Sequence, residues 1–381
     1  MKRYLFILII FFALASSAQV RTGVLPNGMT YYIRQNKTPS GSADFFLAQR
    51  VGSVNESDKE RGLAHFLEHL CFNGTEHFPG NSLITWLESN GVKFGKNLNA
   101  YTSTDETIYN ISKVPVARRE VVDSCLLILH DWCSGVVFDP DAIDAERGVI
   151  ENEWRHRNSA ANRQLERALP LIYPSSIYGQ RMPIGKMEII KNFKPETLKK
   201  FYEKWYHPKN QAIIVTGDIE PDYIETKIKD MFGSIDRKGN IVKTFPEVKD
   251  NRNLIVVSES DPEQTTNLIQ LHFRHPEYKN ETAADLAGSM LAARFDEIEL
   301  DPDCPHTYLG IGETKFMLSG GVKSLVMRGV AKPGRASDAV NLWFSELSRA
   351  LRHGFTQTEL ETAKRQLSKD ISDKKKKAAK T

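Results

Sequence analysis

The chain has 381 residues, with Lys+Arg 51 against Asp+Glu 48, 40% hydrophobic and 26% charged. That is the composition of a globular protein long enough for two domains, and the near balance of charge excludes a general electrostatic case for a nucleic-acid partner. Four cysteines are too few for a disulfide scaffold, and the absence of C-x-x-C excludes a zinc knuckle or thiol redox motif.

Lys2 and Arg3 precede an apolar run from Tyr4 to Leu14, and Ala15-Ser16-Ser17-Ala18 adds small residues after it. This pattern predicts a secretory signal peptide over residues 1–18, cleaved near Gln19. The run is short for a membrane span and no later stretch is long enough, so the expectation is an exported protein without a span after cleavage. Cys125 and Cys133 lie in an apolar helical run and read as buried free thiols.

From Val20 to Arg34 the pattern predicts two short strands around the turn Pro26-Asn27-Gly28. Ala43 to Val51 has strand length, and a helix is expected from about Asp58 to Cys71, ended by Asn73-Gly74. Ser82 to Asn90 predicts a short helix closed by Gly91. Leu98 to Ser103 and Thr107 to Ile111 read as two strands of one antiparallel sheet. Ala117 to Cys133 is helical. Asp139-Pro140 caps and opens a long helix to about Arg157, extending as far as Ala168 on its pattern. A Pro/Gly/Tyr-rich loop fills Leu169 to Gly185. Helix Pro195–Tyr206, strand Gln211–Thr216 and helix Pro221–Phe232 complete a first α+β domain, residues 19–233.

Ser234 to Asn251 reads as a linker. In a second domain, 252–381, strands are expected at Leu254–Val257, Thr266–Phe273 and within Tyr308–Gly329, the last with glycines at 310, 312, 320 and 321. Helices are expected at Ala283–Arg294, at Ser337–His353 with Ser337 as cap, and from Thr356 to about Ser372 with Thr356 or Thr358 as cap. Lys374 to Lys377 read as a solvated basic tail, and no final strand follows. The fold class is therefore α+β, two similar domains that each pack an antiparallel sheet against helices.

Chemistry concentrates at His65-Phe66-Leu67-Glu68-His69. Two histidines four apart share one helical face and reach one metal ion, and Glu68 reaches water beside it. The order H-x-x-E-H is an inverted zinc-hydrolase signature. A catalytic zinc takes three protein ligands and keeps a position open. The helix after Pro140 offers Glu146, Glu151 and Glu153; the first and last share a face, seven residues apart, and Glu151 points elsewhere. The other histidines make no second cluster in the sequence.

From Val20 to about Ser372 the chain resembles the pitrilysin/insulinase superfamily of zinc metallopeptidases, peptidase family M16. The resemblance rests on Leu25-Pro26-Asn27-Gly28 and Gly62-Leu63-Ala64-His65-Phe66-Leu67-Glu68-His69. Further support comes from Gly74-Thr75 with Phe78-Pro79-Gly80, Asn99-Ala100-Tyr101-Thr102 with Asp105-Glu106-Thr107 and Tyr109, Glu146 to Trp154, and Gly217-Asp218. It implies one zinc ion on His65, His69 and Glu153, with Glu146 supporting a ligand histidine. The spacing of about 76 residues common in the family reaches Glu146 instead of Glu153, while the local pattern V-I-E-N-E-W favours Glu153. Glu68 is then the general base that takes a proton from water and passes it to the leaving amine.

The strand at Asn99 and Ala100 is expected to accept an extended peptide as an added strand, with the Asn99 side chain holding its backbone. The signal peptide and sequence style resemble the long bacterial exported members, which implies a periplasmic or extracellular enzyme. Such members close two halves around a chamber. This chain matches one half, so the other is expected from a C-terminal continuation, a partner chain or a homodimer. Two other functions compete: a non-catalytic structural or peptide-binding subunit, or an inactive fragment, and a different zinc hydrolase such as a cell-wall amidase.

Overall fold

The computed structural model describes residues 20–236, 239–242, 246–249, 253–276, 278, 280–314 and 322–378. The signal peptide, the glycines at 320 and 321, and the final three residues lie outside them. The structure comprises two α+β domains, each a multi-stranded sheet packed against helices.

The first sheet has six strands: β1 (Arg21–Val24), β2 (Thr30–Gln35), β3 (Ser42–Gln49), β4 (Leu98–Thr102), β5 (Thr107–Pro115) and β6 (Gln211–Gly217). Their order is β1-β2-β6-β3-β5-β4. One pair departs from the expected antiparallel sheet, because β2 and β6 run parallel, Thr30 opposite Ala212 through Gln35 opposite Gly217. The cause is topological. Successive strands β2 and β3 run in opposite directions, so a strand placed between them must be parallel to one; β6 is antiparallel to β3.

Strand β3 alternates strictly, burying Ala43, Phe45, Leu47 and Gln49 on its helix side. Against that side pack α1 (Leu63–Leu70), α2 (Ser82–Ser89) and α3 (Arg119–Ser134). Leu63, Phe66, Leu67 and Leu70 of α1 join Leu126, Leu129 and Trp132 of α3 in one core. The periodicity that buries those residues leaves His69 of α1 only partly covered. The first domain continues with α4 (Pro140–Arg157), α5 (Ala160–Ile172), α6 (Met187–Asn192), α7 (Pro195–Trp205) and α8 (Pro221–Phe232).

The second sheet is antiparallel: β7 (Asn267–Pro276), β8 (His306–Thr314) and β9 (Val322–Ala331), ordered β7-β9-β8. It packs on α9 (Glu281–Ile298) and α10 (Ala336–His353), around Leu291, Phe295, Leu309, Met327 and Trp343, and α11 (Gln357–Ala378) lies against α9. Arg163 of α5 forks onto the Asp261 carboxylate at 2.6 and 2.8 Å, and Arg167 meets Glu259 at 2.7 Å.

Several boundaries differ from the sequence expectation. Helix α1 starts at Leu63, not near Asp58, because Gly62 sits at φ 103°, a left-handed conformation that cannot continue a helix backwards. It ends at Leu70, before Asn73-Gly74. The long helix breaks after Arg157, where Ser159 turns to β geometry and caps α5 by accepting from Asn162 N. Helix α6 falls within sequence left unassigned. Ser337 lies inside α10, behind Arg335 at the cap. Leu254–Val257 forms no strand. Thr356 does cap α11, with Glu359 bonding back to its N–H at 2.6 Å. All four cysteines are free and buried. Among the described residues no helix is long and apolar enough to cross a membrane.

Candidate metal centre

Helices α1 and α4 meet at the histidine face of α1. His65 Nε2 lies 3.5 Å from Glu153 Oε2, and His69 Nε2 lies 3.4 Å from the same oxygen. One ligand atom from each of the three residues falls within 4.8 Å of the others, the sole such group among the described residues. The set fits a zinc ion: two imidazole nitrogens and one carboxylate oxygen leave one tetrahedral position open. Ligands about 2.0–2.1 Å from zinc stand about 3.3–3.4 Å apart at a tetrahedral edge, close to the two measured nitrogen–oxygen separations.

Glu146, two turns before Glu153 on α4, does something different. Its Oε1 meets His69 Nδ1 at 2.7 Å, and Asn73 Nδ2 donates to its Oε2. A carboxylate on Nδ1 fixes the proton there and turns the Nε2 lone pair towards Glu153. Glu151 leaves the site and pairs with Arg155 and Lys191 at 2.6 and 2.9 Å.

The two rings are shifted in opposite directions. Burial and the neighbouring His69 pull His65 down to about 4. Burial also disfavours charge on His69, but the Glu146 and Glu153 carboxylates outweigh it and hold that imidazole up at about 9. The bond with His69 holds Glu153 down at about 2. Glu153 Oε1 also meets Arg157, at 2.6 Å.

Glu68 is buried on the same helix and shifted upward by burial, opposed by the hydroxyl of Thr102, which donates to its Oε2 at 2.5 Å. Thr102 ends β4, the edge strand of the first sheet. Its hydroxyl therefore ties the edge strand to the motif helix.

The chain matches two family models: "Insulinase (Peptidase family M16)" over residues 31–175 and "Peptidase M16 inactive domain" over residues 192–367. It superposes on the crystal structure of the first half of the periplasmic protease PqqL from Escherichia coli with TM-score 0.83 and 30% identity, covering 95% of this chain and 79% of that one. The chain belongs to peptidase family M16, the insulinase family. Within the family it is 33% identical over 363 residues to the probable zinc protease PqqL of Escherichia coli, covering 92% of this chain and 38% of that protein. To the zinc protease PQQL-like of Arabidopsis thaliana it is 32% identical over 278 residues, 29% of that protein's length. The chain thus spans well under half the length of these curated relatives.

Residues 65, 68, 69, 146 and 153 all fall inside the match to the first M16 model. Asn99 and Ala100 lie on β4, but alternation separates them. Leu98, Ala100 and Thr102 share the face towards Glu68, whereas Asn99 is exposed on the opposite face with Tyr101. Sequence reasoning passed over Asn73 and Thr102. Thr102 had a usable signal, being two residues from Ala100 and so on its face. Asn73 had none beyond its place after the helix, where it read as a terminator.

Proposed function

We propose that this chain is the zinc-carrying half of an exported, periplasmic M16 endopeptidase that hydrolyses peptide bonds in extended or unfolded polypeptides. The observation that carries this reading is the meeting of His65, His69 and Glu153 beside a buried Glu68 tethered to an edge strand. His65, His69 and Glu153 hold the metal, and Glu146 orients His69. Zinc in that position supplies Lewis acidity towards a carbonyl and makes water more acidic. Glu68 accepts the proton of the attacking water and returns it to the departing amine. Its burial favours proton uptake, and the Thr102 hydroxyl holds its orientation. The open edge of β4 pairs with substrate backbone, which gives sequence-tolerant affinity.

The relatives named above are more than twice as long as this chain, which supports a second half completing a chamber around the substrate. A C-terminal continuation, a partner chain or a second copy supplies it. A non-catalytic subunit is the competing reading; the presence of all three ligands and the base weighs against it. The test is zinc content and cleavage of a quenched unfolded peptide, with and without Glu68→Gln. The variant should keep its zinc and lose at least about 100-fold in kcat. Zinc binding without Glu68-dependent cleavage sinks the peptidase reading for this chain alone.

A further inference from the structure

Helix α1 is eight residues long and carries His65, Glu68 and His69. Its first N–H groups have no partners within the helix, and its N-cap is a glycine without a side chain to offer. The partner comes from upstream. Glu56 Oε2 accepts from Gly62 N at 2.9 Å, and Glu56 Oε1 accepts from Ala64 N at 2.9 Å. One carboxylate thus grips the backbone on both sides of Leu63, the second grip ending one residue before His65.

The grip is itself held. Glu56 is 3% exposed and Arg181 5% exposed. Arg181 Nε donates to the Glu56 backbone oxygen at 3.1 Å, and its guanidinium meets Asp58 at 2.9 Å. Ser53 Oγ donates to the Arg181 carbonyl at 2.7 Å. Gly185 closes the other side, so near that a Cβ on it would stand 2.2 Å from Gly62 Cα. Burial pushes the Glu56 carboxyl up to about 8, opposed by the Ala64 and Gly62 N–H donors and by the nearby Arg181 and Arg61. The two N–H donors that converge on it at the helix N-terminus favour the anion, and their geometry is what fixes the first turn.

We propose that Glu56 is a positioning residue for the metal centre: its bidentate hold on the first turn of α1 sets the placement of His65 and His69. A glutamine has the same shape but one acceptor oxygen, so it leaves one of the two N–H groups facing an amide N–H. Ligand placement tolerates only about 0.5 Å, so loosening the turn lowers metal affinity even when the fold persists.

This proposal rests on zinc being held by His65, His69 and Glu153, and the experiment separates the two. Zinc dissociation constants are measured by competition with a chromophoric chelator for the wild type, His65→Ala and Glu56→Gln, with far-ultraviolet circular dichroism as the check on fold. The expected result is tight binding by the wild type, loss in His65→Ala, and an affinity about 10–100-fold weaker in folded Glu56→Gln. Wild-type protein that binds no zinc, or binds it equally after His65→Ala, overturns the metal reading and this proposal with it. Wild-type binding that depends on His65 but is unchanged within twofold by Glu56→Gln overturns the positioning role alone, even if the variant is less stable. If Glu56→Gln does not fold, amide hydrogen exchange on the wild type decides. Gly62 and Ala64 should be protected at least about 100-fold despite lying in a first turn, and free exchange there overturns the proposal.

Discussion

Two glutamates seven residues apart on α4 compete for the ligand role, and geometry separates them by consequence. Glu153 touches both Nε2 atoms, at 3.5 and 3.4 Å. Glu146 touches the far nitrogen of one ring, at 2.7 Å. A four-ligand zinc site binds with about 10–16 kcal/mol, or roughly 2.5–4 kcal/mol per ligand, so Glu153→Gln should weaken zinc by about 70- to 700-fold. Glu146→Gln removes a charge-assisted bond worth about 1.5–3 kcal/mol but leaves three ligands, so a loss of about 10–100-fold is expected. Chelator competition at neutral pH reads both. The order is the test. If Glu146→Gln abolishes binding while Glu153→Gln costs only about tenfold, the ligand is Glu146 and the reasoning from ring nitrogens fails.

Gly185→Ala should destabilise the protein by about 2–5 kcal/mol, from left-handed strain at φ 73° and a Cβ that meets the Gly62 backbone; a chemical-denaturation loss below about 1 kcal/mol would refute this. Glu225 is held at about 2 by Lys229 first, then Tyr31 and Arg21, against its ordinary 4.5. The unfolded chain therefore binds its proton at higher pH, so the stability from this cluster is complete above about 4.5 and lost as pH falls towards 2. Glu225→Gln should flatten that part of the unfolding profile of chelated protein, and parallel wild-type and variant losses would exclude the cluster. Asn99→Ala should change kcat/KM by less than about threefold if substrate is held only on the Glu68 face, because its side chain lies across the strand from Glu68; a loss above about tenfold would show that Asn99 holds the substrate backbone as the sequence reading expects.

The motif was legible in the sequence because four-residue spacing on a helix is local geometry. Helical spacing alone did not choose between Glu146 and Glu153, since both share a face of α4; the local pattern V-I-E-N-E-W favoured Glu153, and the approach of α1, which sets Glu153 on the Nε2 atoms and Glu146 on Nδ1, groups Glu153 with the histidines. Glu56 was invisible for another reason. It caps a helix from six residues upstream, outside the three-residue window in which capping residues are sought. The late start of α1 follows from the same segment, because the positive φ at Gly62 is a backbone property that apolar periodicity does not report.

Leu254–Val257 shows what a strand pattern needs beyond itself. Its residues alternate in exposure, with Leu254 at 84% and Val256 at 81%, yet no ladder forms. The two sheets share a core order, β3-β5-β4 in the first and β7-β9-β8 in the second. In the first, the strand before β3, which is β2, bonds to β6 rather than to β3. By chain order Leu254–Val257 stands where β2 does, ahead of β7. Among the described residues no strand takes the place of β6, so β7 keeps an open edge and the segment before it has nothing to pair with. Pattern and propensity anticipated the alternating exposure but not the missing ladder; hydrogen bonding in a sheet belongs to the partner as much as to the strand.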